Sequence, residues 1–87
     1  MKAVYGPGVV KAIKKHKLPQ DVWEHFRDAF EALALTENFR LFDIKKMVDK
    51  KPYKYYRLRI GKYRALFHFE DDALFVEEIA PRGGIYK

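Results

Sequence analysis

The stretch Tyr55-Tyr56-Arg57-Leu58-Arg59-Ile60-Gly61-Lys62-Tyr63-Arg64-Ala65-Leu66-Phe67-His68-Phe69 constrains the fold more than any other part of the chain. Residues alternate on both sides of Gly61-Lys62, and glycine first in a two-residue loop fits a type II′ hairpin turn. That turn fixes the register: Ile60 faces Tyr63, Arg59 faces Arg64, Leu58 faces Ala65, and Tyr56 faces Phe67. Directly opposed residues share a side of a sheet. One side therefore carries Tyr56, Leu58, Ile60, Tyr63, Ala65, Phe67 and Phe69 and belongs to the core. The other carries Arg57, Arg59 and Arg64, with Tyr55, Leu66 and His68.

The remaining pattern places this hairpin in a sheet. From Phe42 onward the chain reads with period two, predicting strands near residues 42–47, 54–60, 63–70 and 73–79, and Lys2 to Tyr5 fits a very short first strand. Gly6-Pro7-Gly8 is a turn and helix start; it lacks the spacing of a nucleotide-binding loop. Val9, Ala12 and Ile13 predict a short helix over 9–17, and Pro19 suits the first turn of a second. There Val22, Phe26, Ala29, Phe30 and Leu33, widened by Trp23, form a broad apolar stripe that reads as core. Two helices followed by strands predict a single α+β domain over 1–87. Its helices pack on one face of a twisted antiparallel sheet of about four strands, in the order βααβββ.

Composition narrows the function. The chain has 87 residues, no Cys and a net charge of +6. Disulfides and thiolate metal sites are excluded, and a reducing compartment is expected. No apolar run has the length of a signal peptide or membrane span, so a cytoplasmic location is expected. The charge is concentrated. Between Ile44 and Arg64 lie nine basic residues, Lys45, Lys46, Lys50, Lys51, Lys54, Arg57, Arg59, Lys62 and Arg64, against Asp49 alone. Such a field attracts polyanions, and nucleic acid is the commonest in a cell; a solvated basic surface is the alternative. The six lysines are the expected RNA-binding residues.

Arg59 opposite Arg64 is a local conflict, since opposed like charges cost from a few tenths to about 1 kcal/mol. Sequences break such rules mainly at functional sites. Three guanidiniums on one face make a phosphate clamp, each a planar fork of donors that stays charged. The competing reading is structural: with a two-residue turn at Asp71-Asp72, Glu77 falls on the same side and neutralises the arginines. Leu66, Phe75 and Ile79 are expected to share this face, so something apolar, a base or a partner segment, lies over part of it. His68 reads as a packed strand residue or a base, whereas His16 and His25 sit on helices without ligand spacing.

Three segments together resemble the RelE/ParE superfamily of toxin–antitoxin toxins, most of all its archaeal RelE-like members. They are Phe42-Asp43-Ile44-Lys45-Lys46-Met47, Tyr56-Arg57-Leu58-Arg59-Ile60-Gly61-Lys62-Tyr63-Arg64 and Pro81-Arg82-Gly83-Gly84-Ile85-Tyr86-Lys87, and the resemblance spans nearly the whole chain. It implies a metal-independent endoribonuclease that cuts mRNA on the ribosome. The ribose 2′-OH attacks the adjacent phosphate and a 5′-hydroxyl leaves. It places the catalytic positions on Arg57, Arg59, Arg64, Arg82 and Tyr86, needs no cofactor, and implies an acidic antitoxin as partner. In this scheme Arg64 and Arg82 stabilise the phosphorane charge, and Tyr86 stacks on a base or joins the proton transfer. Arginine is no general base, so the base is unassigned. The ParE branch, which poisons DNA gyrase, and a silent RNA-binding member of the fold are the alternatives.

Overall fold

The structure, a computed structural model, describes residues 1–47 and 54–81. Strand β1 (Lys2–Tyr5) leads into helices α1 (Pro7–Lys14) and α2 (Gln20–Thr36), and a 3-10 turn at Phe39–Leu41 opens the sheet half. Strands β2 (Ile44–Lys46), β3 (Tyr55–Ile60), β4 (Tyr63–Glu70) and β5 (Ala73–Pro81) follow. The sheet order is β1-β5-β4-β3-β2, five strands rather than the four expected. It is mixed rather than antiparallel, because β1 runs parallel to β5 with Val4 beside Phe75 and Tyr5 beside Val76.

Local chemistry explains the turns. Pro7 occupies the first turn of α1, where a missing N–H costs nothing. Ahead of it, the Gly6 N–H donates to the Val76 carbonyl at 2.8 Å. A Cβ on Gly6 would come within 3.1 Å of both that carbonyl oxygen and the Phe75 ring, so a side chain there would press on both neighbours and glycine suits this close approach. α1 ends with His16 in the left-handed region, which puts His16 just beyond the helix rather than in it. Pro19 stands just ahead of α2, and Glu37, also left-handed, closes that helix by donating from its N–H to Leu33 O at 2.8 Å.

The apolar stripe of α2 meets the apolar side of the hairpin. Phe26, Phe30 and Leu33 are buried against Leu58, Ala65, Phe67, Leu74, Val76 and Ile79, with Val9 of α1 and Leu18 completing the core. The Phe30 and Phe67 rings cross edge to face with centroids 5.2 Å apart. Tyr5 reaches under α2 to meet Trp23 at 4.9 Å. Its hydroxyl is buried and makes no hydrogen bond among the described residues. Burial, then the carboxylate of Glu31, pushes the phenol up to about 12. A raised folded-state value favours the protonated fold, so this contribution is complete below pH 10 and lost as pH rises to about 12. Tyr5→Phe is expected to be neutral or stabilising by up to about 1 kcal/mol at neutral pH, since it removes an unsatisfied hydroxyl. It should also abolish the part of alkaline destabilisation between pH 10 and about 12, as followed by urea melts against pH.

Candidate anion site on the open sheet face

The hairpin register is the one the turn dictates: Ile60 faces Tyr63, Arg59 faces Arg64, Leu58 faces Ala65 and Tyr56 faces Phe67. Gly61 has φ +58°, as the first position of a type II′ turn needs. The face turned away from the helices is thereby assembled in cross-strand rows. One row runs from Asp43, whose carbonyl accepts from Arg59 N–H at 3.0 Å, through Arg59 and Arg64 to Ala80. The next holds Lys45, Arg57, Leu66 and Glu78. A third holds Tyr55, His68, Phe75 and Val4. The face is basic where β2, β3 and β4 meet and acidic toward β5.

The arginine side chains differ in environment. Arg57 is only 6% exposed, although it carries a full charge. Its ion partner is Asp43, at 3.6 Å from Nη2 to Oδ1, and the second carboxylate oxygen of Asp43 lies 3.7 Å from Arg59 Nε. Neither distance reaches the 2.7–2.9 Å or so of a charge-assisted hydrogen bond. The Nε atoms of Arg57 and Arg59 are buried without a hydrogen-bond partner among the described residues. Burying a guanidinium is costly unless its donors are met, so the cluster offers unmet donors to an anion with several oxygens.

Among the described residues Glu77 pairs with His68, whereas Arg57 and Arg59 pair with Asp43. A bulge interrupts the pairing: Phe67 faces Val76, but Leu66 faces Glu78 and Ala65 faces Ile79, leaving Glu77 as the extra residue. Two consequences correct the expected face. Ile79 turns into the core, 4% exposed, so Leu66 and Phe75 remain on the arginine side without it. Glu77 approaches His68 instead, with Oε1 3.5 Å from Nδ1, while Glu70 Oε1 lies 3.3 Å from Nε2. His68 is 1% exposed, between the rings of Tyr55 and Phe75 at 5.1 and 5.2 Å, and is a packed residue. Burial, then Glu77 and Glu70, holds the Tyr55 phenol above its ordinary value.

The lysines are divided. Lys45 stands opposite Arg57 on the arginine face, whereas Lys46 stands opposite Tyr56 on the other side of β2. Lys54 is exposed ahead of β3, and Lys62 is exposed in the hairpin turn. Lys50, Lys51, Arg82 and Tyr86 lie outside the described residues. Asp43 is the site residue that sequence reasoning missed. Its signal was the alternation Asp43, Lys45 along β2, readable only once β2 is in register with β3. Among the described residues no group of three or more His, Asp or Glu could hold a metal ion, and no helix is long and apolar enough to cross a membrane.

Fold and site together define a small α+β domain that presents a partly buried arginine cluster on an open sheet face. Comparison of the sequence with family models and with curated proteins gives no match. Among solved structures the chain is similar to one in the archaeal RelE–RelB complex of Pyrococcus horikoshii OT3, at 26% identity and a TM-score of 0.74, covering 95% of this chain and 96% of that one. It is similar also to a chain of the RelB–RelE antitoxin–toxin complex of Methanococcus jannaschii, at 25% identity and a TM-score of 0.73, covering 95% and 94%. The fold is RelE-like.

Proposed function

We propose that the chain is the toxin of a toxin–antitoxin pair and an endoribonuclease of the RelE type that cuts mRNA, ribosome-bound, through 2′-OH attack on the adjacent phosphate. The observation that carries this reading is the buried Arg57 guanidinium with unused donors, set beside Arg59 and in one row system with Arg64. Such donors, fixed in place before substrate arrives, suit a transition state whose charge grows on phosphoryl oxygens. Arg82 adds to that charge stabilisation, and Tyr86 stacks on a base or takes part in proton transfer. Lys45, Lys54 and Lys62, with Lys50 and Lys51, hold the RNA backbone, a role that needs charge rather than geometry, whereas Lys46, on the other side of β2, stays outside it. No cofactor is required. The likeness to chains of RelE–RelB complexes supports an antitoxin partner, and the basic face suits an acidic one. Leu66, opposite Arg57 on this face, gives that partner something apolar to cover.

The purified chain, incubated with mRNA and programmed ribosomes, is expected to yield fragments ending in 2′,3′-cyclic phosphate and beginning with 5′-hydroxyl. RNA affinity should fall steeply with salt, with a slope of roughly −0.7 per phosphate contacted. Inhibition of gyrase without RNA cleavage would replace this reading by the ParE one. RNA binding with intact RNA would make the chain a silent binder.

A further inference from the structure

We infer that Asp43 is the general base of the RNA cleavage: its carboxylate takes the proton of the 2′-OH whose phosphate the arginines hold. The inference rests on the endoribonuclease reading above and supplies the group that the arginines cannot.

Asp43 is placed for this by three observations. Its side chain is 58% exposed while that of Arg57 beside it is 8% exposed, so the carboxylate stands at the mouth of the site with the guanidinium beneath. Its two oxygens lie 3.6 and 3.7 Å from Arg57 and Arg59. A residue that merely clamped those arginines would sit about 0.8 Å closer and form a bidentate, hydrogen-bonded pair. The lone pairs of Asp43 are thus close to the anion site without being consumed by it. Finally, among the described residues the other acids of this face are otherwise engaged or farther off. Glu70 and Glu77 flank the buried His68, which has no access to substrate at 1% exposure. Glu78 is two strands from Arg57 in its row, about 10 Å away at ordinary strand spacing. The charged groups facing Asp43 are Arg57 and Arg59 of β3, with Arg64 of β4 behind Arg59 and Lys45 next on its own face of β2.

The step balances as follows. The 2′-oxygen bonds to phosphorus as its proton passes to the Asp43 carboxylate. The bond from phosphorus to the 5′-oxygen breaks, its electron pair stays on that oxygen, and water supplies the proton. A 2′,3′-cyclic phosphate and a 5′-hydroxyl result, and Asp43 returns its proton to solvent.

The test is single-turnover cleavage, by wild type, Asp43→Asn, Asp43→Glu and Asp43→Ala, of the RNA that the wild-type chain cuts. Binding is measured separately with the 2′-deoxy analogue. Asp43→Asn is expected to lower the rate by about 10²–10⁴-fold, the range of general-base catalysis, with binding changed less than about threefold. Its acid limb in the rate–pH profile should vanish, Asp43→Glu should keep that limb, and added formate should partly restore Asp43→Ala. An Asp43→Asn rate within threefold of wild type overturns the inference while leaving the endoribonuclease reading intact. So does a loss that formate does not restore with the acid limb unchanged, since Asp43 would then only position the arginines. Absence of cleavage by wild type itself overturns the reading and the inference together.

Discussion

Arg57→Ala is expected to lower the single-turnover rate of RNA cleavage by about 10²–10³-fold, the cost of removing one preorganised donor from a developing oxyanion. The same substitution should leave thermal stability unchanged, and Arg57→Met should raise it. Arg57 is a nearly buried charge whose partner Asp43 remains more than half exposed, so the ion pair returns little of what desolvation takes. Lost function with retained or improved stability is the signature of a residue kept for chemistry. Arg57→Lys separates charge from geometry: an ammonium lacks the planar fork, so binding at low salt survives better than turnover. If all three variants cleave like wild type, the arginine cluster is a structural ion pair.

Phe67→Ala is expected to cost about 3–5 kcal/mol, the range for deleting a buried aromatic side chain. Phe67 is fully buried at the centre of the helix–sheet interface, against Phe30 at 5.2 Å and Tyr56 at 5.7 Å. Small domains have about 5–15 kcal/mol in total and lose about 4–8 °C of Tm per kcal/mol, so the fall should exceed about 12 °C. Leu35→Ala is the matched control: Leu35 is 84% exposed, and its loss should change stability by no more than about 0.5 kcal/mol. Calorimetry on both variants checks the assignment of the two sheet faces, because a slip of one residue in the hairpin register would put Phe67 in solvent.

That register was legible because it is local. Gly61-Lys62 is short enough to fix which residues face each other, and the alternation on both sides then assigns Arg57, Arg59 and Arg64 to one face. The stripe of α2 was legible for the same reason, with Phe26, Ala29, Phe30 and Leu33 buried as their spacing predicts. What escaped is non-local. β1 has four residues and pairs in parallel with β5, a contact set by tertiary packing that no turn announces. The β2–β3 connection is too long to set a register, so Asp43 could not be placed opposite Arg59 in advance. The bulge at Glu77 did leave a trace. Val76 and Ile79 are three apart, so strict alternation would put one of them on the wrong face, and the extra residue lets both reach the core. That break in period two was the readable sign that Ile79 would not lie where simple counting put it.

The resulting face joins two chemistries across one sheet. Guanidiniums gather where β2, β3 and β4 meet, and carboxylates gather around a buried imidazole toward β5. Under the proposed function, an RNA strand would be attracted to the first region and repelled by the second, which would hold its backbone on the arginine rows.

The most direct test follows the arginine Nε–H resonances in a 15N spectrum of the chain during titration with a 2′-deoxy RNA analogue that binds but cannot be cut. Arg57 and Arg59 Nε–H should shift together and saturate with one site, because their buried donors gain phosphate oxygens, and Arg57→Glu should abolish the binding. Shifts confined to α1 and α2, with the Arg57 and Arg59 resonances unmoved at saturation, would contradict the account.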